Sequence, residues 1–104
     1  MRKEATERRA VVLGQEDPRV LGLRRAITRL HRELAGYRAR LADRQIAEEE
    51  LAAVETMARE GVPEVARLRG SLLLIAGAIG SVSALSEALT EVRKAVELFG
   101  APPG

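Results

Sequence analysis

The sequence predicts an all-α protein, either a long antiparallel helical hairpin or a four-helix bundle, with dimerisation as the favoured way of completing it. Three observations predict this. Apolar residues recur at three- and four-residue spacing in successive stretches, Gly and Pro fall mainly between those stretches, and an aromatic content of 2% leaves the core to aliphatic side chains. With 104 residues, one helical domain over 17–100 is expected, preceded by a flexible arm over 1–16 and followed by a disordered tail over 101–104. A chain of this size buries only about two-thirds of its unfolded surface, so little room is left for a deep substrate cavity beside the core.

Met1–Glu16 is charged, interrupted by Val11, Val12 and Leu13, and reads as a mobile arm. Asp17-Pro18 is the first firm helix start, because an Asp accepts hydrogen bonds from free amides and Pro fits a first turn whose N–H would be unpaired anyway. Leu23, Ile27, Leu30, Leu34, Tyr37 and Leu41 then form one stripe. Continued in register, that stripe would bring Arg44 and Glu48 into the seam. It shifts instead to Ala47, Leu51, Val54 and Ala58, so the helix either rotates its buried face or breaks near Asp43.

Gly61 ends this element, and Pro63 with Glu64 suits the first turn of the next. Val65, Leu68, Leu72, Ile75 and Ile79 follow as a stripe, while Leu73, Leu74, Ala76 and Ala78 cover much of the remaining circumference. A helix apolar nearly all round is expected to be buried nearly all round. The last stripe is Leu85, Leu89, Val92, Val96 and Phe99, ended by Gly100 and two prolines. Ser81 and Ser83 suit N-caps if a break precedes it; otherwise Val82 keeps the two stripes nearly in register and one helix runs from Pro63 to Phe99. The expected core or dimer interface is Leu30, Leu34, Leu68, Leu72, Ile75, Ile79, Leu89, Val92 and Val96.

Unbroken, the two arms would measure about 64 Å and 55 Å and match as a hairpin. A lone hairpin leaves the leucines of the seventies exposed and demands a second copy. Breaks near Asp43 and Gly80 would instead permit a four-helix monomer. The hairpin pairing into a dimeric bundle is the preferred arrangement.

Composition excludes several function classes. The chain has no Cys and one His, so thiolate chemistry and His-rich metal sites are ruled out, and no cofactor or metal is expected. His31 has no carboxylate three residues before it and reads as a surface or boundary histidine. Ser71, Ser81, Ser83 and Ser86 have no base nearby in sequence and suit capping or packing. Glu48, Glu49 and Glu50 are consecutive, so on a helix they point about 100° apart and cannot converge on one ion. Gly77–Ser81 lacks the Lys of a phosphate loop and suits close helix packing. The protein is therefore expected not to be an enzyme.

Charge is uneven along the chain. Residues 1–44 carry 12 basic and 6 acidic side chains, and residues 45–104 carry 5 and 9. Arg25, Arg29 and Arg32 fall on one side of the first helix, and with Arg40 they form an expected partner-facing ridge. Such a ridge also suits phosphate neutralisation, but no aromatic platform or DNA-reading motif accompanies it, so nucleic acid is an unlikely partner by sequence. Gly70–Ser86 is uncharged yet shorter than the roughly 20 residues a membrane span needs, and Gly and Ser dilute it. With no apolar leader after the charged N-terminus, a cytoplasmic protein without membrane partners is expected.

Three blocks, Glu16–Val20 (EDPRV), Ala42–Leu51 (ADRQIAEEEL) and Leu68–Leu85 (LRGSLLLIAGAIGSVSAL), resemble a family of small actinobacterial proteins of unknown function, the similarity running from about Glu16 to Phe99. The resemblance implies an actinomycete source and a compact helical fold, and it brings no catalytic residues. In general character the chain is also similar to small helical accessory proteins of bacterial conflict systems. The expected function is a non-enzymatic protein–protein interaction or oligomerisation module, a homodimer or an adaptor. The alternatives are a nucleic-acid-associated protein using the Arg-rich first helix and a membrane-associated protein using residues 70–89.

Overall fold

A computed structural model describes residues 17–100; the arm over 1–16 and the tail over 101–104 lie outside the described residues. The elements are α1 (Pro18–Gly36), α2 (Arg44–Glu60), α3 (Val65–Ile79), a 3-10 turn (Ser83–Leu85) and α4 (Ser86–Gly100). Helix α1 packs on α2 and α4, and α3 packs on the same two, so α1 and α3 are diagonal in a four-helix bundle. The Arg19 guanidinium lies 5.0 Å from the Phe99 ring centroid, while Arg29 meets Glu87. The start of α1 therefore adjoins the end of α4, and the two run antiparallel.

Helix α1 begins where the sequence predicts. The Asp17 carboxylate accepts from the Arg19 backbone N–H at 2.9 Å and from the Arg19 guanidinium at 2.8 and 3.1 Å, with Pro18 in the first turn. Those bonds favour the ionised acid and hold the Asp17 pKa below its ordinary value.

The other end is closed by a residue from outside the helix. Arg44 donates to the carbonyls of Leu34 at 2.6 Å, of Tyr37, and of Ala39 at 3.3 Å. The Leu34 carbonyl, in the last turn of α1, also accepts from the Tyr37 N–H at 3.1 Å, so the guanidinium fork ties the helix end to the carbonyls of the connection that follows. The chain breaks over residues 37–43, and Tyr37 and Leu41, the last members of the first stripe, lie half-buried in this connection against the core.

In α2 the shifted stripe Ala47, Leu51, Val54 and Ala58 is buried. The helix ends at Gly61, whose φ of 146° only glycine adopts without strain. Helix α3 starts at Val65 rather than Pro63; Pro63 is buried in the turn, and Glu64 occupies the cap position without a side-chain capping bond.

The single helix from Pro63 to Phe99 does not form. Gly80 N–H bonds to the Ala76 carbonyl at 2.7 Å, Val82 N–H bonds to that of Ile79 at 3.0 Å, and a Cβ at Gly80 would collide with the Ala76 oxygen. Ser83 makes no side-chain cap. The Ser86 hydroxyl instead donates to the Ser83 carbonyl at 2.9 Å, tightening the 3-10 turn.

One aliphatic core runs through the bundle, built from Val20, Leu23, Ile27, Leu30 and Leu34 of α1, Leu51 and Val54 of α2, Leu68, Ile75 and Ile79 of α3, and Leu85, Leu89, Val92 and Val96. The chain adopts the four-helix arrangement, not the long hairpin, and encloses this core by itself.

Burial of the seventies differs from expectation. Leu68, Ser71, Ile75 and Ile79 are buried and Leu72 is half-buried, whereas Leu73 is 74% and Leu74 51% exposed. The reason is geometric: at a corner of a four-helix bundle a helix turns one face inward, and its two neighbours cannot cover the opposite face.

Candidate functional site

Two surfaces stand out, one carrying the arginines expected as a ridge and one that the sequence did not single out. The first is on α1. Arg25 and Arg32 are exposed; Arg29 is half-buried and paired with Glu33 at 2.8 Å and with Glu87 at 3.5 Å. Glu33 holds the Arg29 guanidinium pKa above its ordinary value. Arg40 lies apart from these three, exposed in the connection between α1 and α2. A shallow hollow of about 450 Å³ on α1 is lined by Arg24, Arg25, Arg29 and Arg32 with Leu21 and Thr28. Beside it, a hollow of about 460 Å³ between α1 and α4 is lined by Gly22, Ala26, Ala95 and Leu98 together with Arg25, Arg29, Lys94 and Glu91. Arg25 and Arg29 border both.

The second surface is the outer face of α3, expected from the sequence to be buried. At 100° per residue, Ala66, Gly70, Leu73, Leu74 and Gly77 fall within about 100° of arc, opposite Leu68, Ser71, Ile75 and Ile79. All five are exposed. Arg67 and Arg69, also exposed, flank them toward the N-terminal end. The helical wheel itself was the available signal, since the buried stripe already assigns Leu73 and Leu74 to the far side. Because α1 and α3 are diagonal, the Arg ridge of α1 does not rim this apolar face; Arg67 and Arg69 do.

Of the expected core set, Leu30, Leu34, Leu68, Ile75, Ile79, Leu89, Val92 and Val96 are buried, and Leu72 is half-buried. Among the described residues, groups with possible chemistry do not converge. His31 sits at the boundary of a shallow hollow between α1 and α2 with Thr28, Arg32 and Glu55. Glu48 and Glu49 are exposed, and Gln45 donates to Glu49 at 3.0 Å. Among the described residues no three His, Cys, Asp or Glu side chains are grouped to hold a metal ion.

A family model covers residues 13–100, and the family it describes is one of unknown function, DUF5955. The chain belongs to that family. No match of significance is found among curated proteins or solved structures. The matched span takes in all four helices and both surfaces, so the apolar face of α3 lies within the family's own domain. Among the described residues no helix is long and apolar enough to cross a membrane.

Proposed function

We propose that this DUF5955 chain is a non-enzymatic interaction or oligomerisation module whose working surface is the outer face of α3. The observation that carries this reading is the exposure of Leu73 and Leu74 on a helix whose inner face already completes the core. Two adjacent exposed leucines in a charge-free patch serve no purpose in the monomer's stability, and apolar patches of this kind mark contact surfaces. The single imidazole and the absence of thiols support the non-enzymatic part.

The test compares the tagged wild-type protein with a Leu73→Glu/Leu74→Glu double variant, both purified from the cells in which the sequence occurs. The wild type is expected to retain a stoichiometric polypeptide, itself or another chain, that the variant loses while melting close to wild type at dilution. Identical sets of retained polypeptides would remove the reading.

A second reading rests on the four arginines that line one hollow of α1: contact with nucleic-acid phosphates. Its weakness is Arg29, whose charge Glu33 and Glu87 already meet. If phosphates bind there, a DNA or RNA mobility shift at low salt should fade with added salt at a log–log slope of about −0.9 per duplex phosphate contacted. Unchanged mobility at the lowest salt would eliminate it.

A further inference from the structure

Four glycines bear on the region from the end of α2 to the end of α3, and the fold accounts for only two of them. Gly61 is required by its positive φ, and Gly80 by the Ala76 carbonyl. At Gly70 and Gly77, within α3, an added Cβ would meet nothing, and φ is not positive. Glycine weakens a helix interior relative to alanine, so the monomer has no use for it at either position.

Both glycines lie on the outer apolar face, and the order of residues along that face is palindromic. Counting outward from the peptide between Leu73 and Leu74, the two leucines come first, then Gly70 and Gly77; the helix ends at Ile79, before a counterpart to Ala66 is reached. Such an order suits a two-fold contact with the helices antiparallel, because it sets like residues level with one another across the axis.

We propose that α3 pairs antiparallel with α3 of a second copy about a two-fold axis passing between Leu73 and Leu74; this rests on the reading of α3 as an interaction surface. The leucines of the two copies meet at the axis. Gly70 lies level with the partner copy's Gly77 on either side, which lets the helix backbones approach closely.

Charge selects the antiparallel direction. Residues 70–86 are uncharged, and Arg67 and Arg69 flank the N-terminal end of the face. Antiparallel pairing sets these arginines beside the carbonyl end of the partner's α3, where cations are favoured, whereas parallel pairing would oppose arginine to arginine. The contact is modest. A helix of 15 residues is about 22 Å long, and one such pair covers less than the roughly 800 Å² per partner of a standard interface. A dissociation constant on the order of 10–100 µM is expected.

Because the chain has no Cys, single cysteines report the geometry directly. Gly70→Cys and Gly77→Cys proteins, mixed and oxidised, are expected to form a disulfide-linked heterodimer, while Gly70→Cys alone does not cross-link, its two sulfur-bearing positions being about 10 Å apart along the axis. Sedimentation should show wild-type dimer, and Leu73→Ser/Leu74→Ser should raise the dissociation constant at least ten-fold while its midpoint stays close to that of wild type at a dilution where both are monomeric. Cross-linking of Gly70→Cys with itself in preference to the mixture would overturn the antiparallel geometry. So would a dimer indifferent to the serine variant. A strict monomer up to about 1 mM would overturn self-pairing altogether. In that case a different chain retained through Leu73 and Leu74 would still support the interaction reading, so the two can fail separately.

Discussion

Arg44 holds the first corner of the bundle. Its guanidinium reaches three carbonyls at and beyond the end of α1 while its own backbone starts α2, so one side chain both ends a helix and sets the path of the next. Replacing it with Met should cost about 2 kcal/mol in charge-assisted hydrogen bonds, lowering the thermal midpoint by roughly 8–16 °C in a domain of this size. Lys should recover only part, since an ammonium cannot reproduce the planar fork. An unchanged midpoint in Arg44→Met would mean that the carbonyls are equally well served by water.

Asp17 is the matching device at the start of α1. Arg19 lowers its pKa in the folded protein, so on acidification the unfolded chain takes up the proton first. Its contribution is whole above about pH 4 and is lost as pH falls further, through the folded-state value. Melting curves from pH 6 to pH 2 should therefore fall less steeply in Asp17→Asn than in the wild type; parallel curves would show that the carboxylate contributes nothing.

At the scale of elements, α3 is apolar on both sides yet buried on one. Ile75→Ala should cost about 2–5 kcal/mol by opening a cavity, whereas Leu73→Ala should stay within about 0.5 kcal/mol as a surface change. Chemical denaturation of dilute protein separates them, and equal losses would mean that α3 is turned about its axis relative to the fold described. The glycines provide a second contrast of sign. Gly77→Ala should stabilise the monomer by up to about 1 kcal/mol through helix propensity, and Gly61→Ala should destabilise it by about 1–3 kcal/mol because its φ is left-handed. A loss of stability in Gly77→Ala at dilution would show that the position is not free.

For the whole molecule, much of the architecture was legible. The helix start at Asp17-Pro18, the stripe Ala47–Ala58 and the stop at Gly61 all follow from local chemistry that acts within a turn or two of helix, whereas the break before Arg44 was one of two options beside a rotation of the buried face. The break at Gly80 was legible only as one of two options, because Val82 keeps the flanking stripes nearly in phase. The candidate surface was less legible. Arg25, Arg29 and Arg32 could be grouped from spacing on one helix, but Lys94 and Leu98 join that region through the packing of α4 on α1. If α3 pairs as proposed, the thermal midpoint should rise with protein concentration, since association stabilises the folded state by mass action; a concentration-independent midpoint in wild type and in Leu73→Ser/Leu74→Ser would count against it.

Helix content, the start at Asp17-Pro18, the stop at Gly61 and the inward stripe of each helix were determined by the sequence alone, because periodicity, capping and glycine stereochemistry are properties of neighbouring residues. The tertiary structure decided whether the two long arms stay straight or fold back, and with that whether Leu73 and Leu74 are core or surface. Hydropathy records how strongly a side chain avoids water, not which neighbour excludes it. In a bundle closed by its own four helices, no neighbour remains for the outer face of α3.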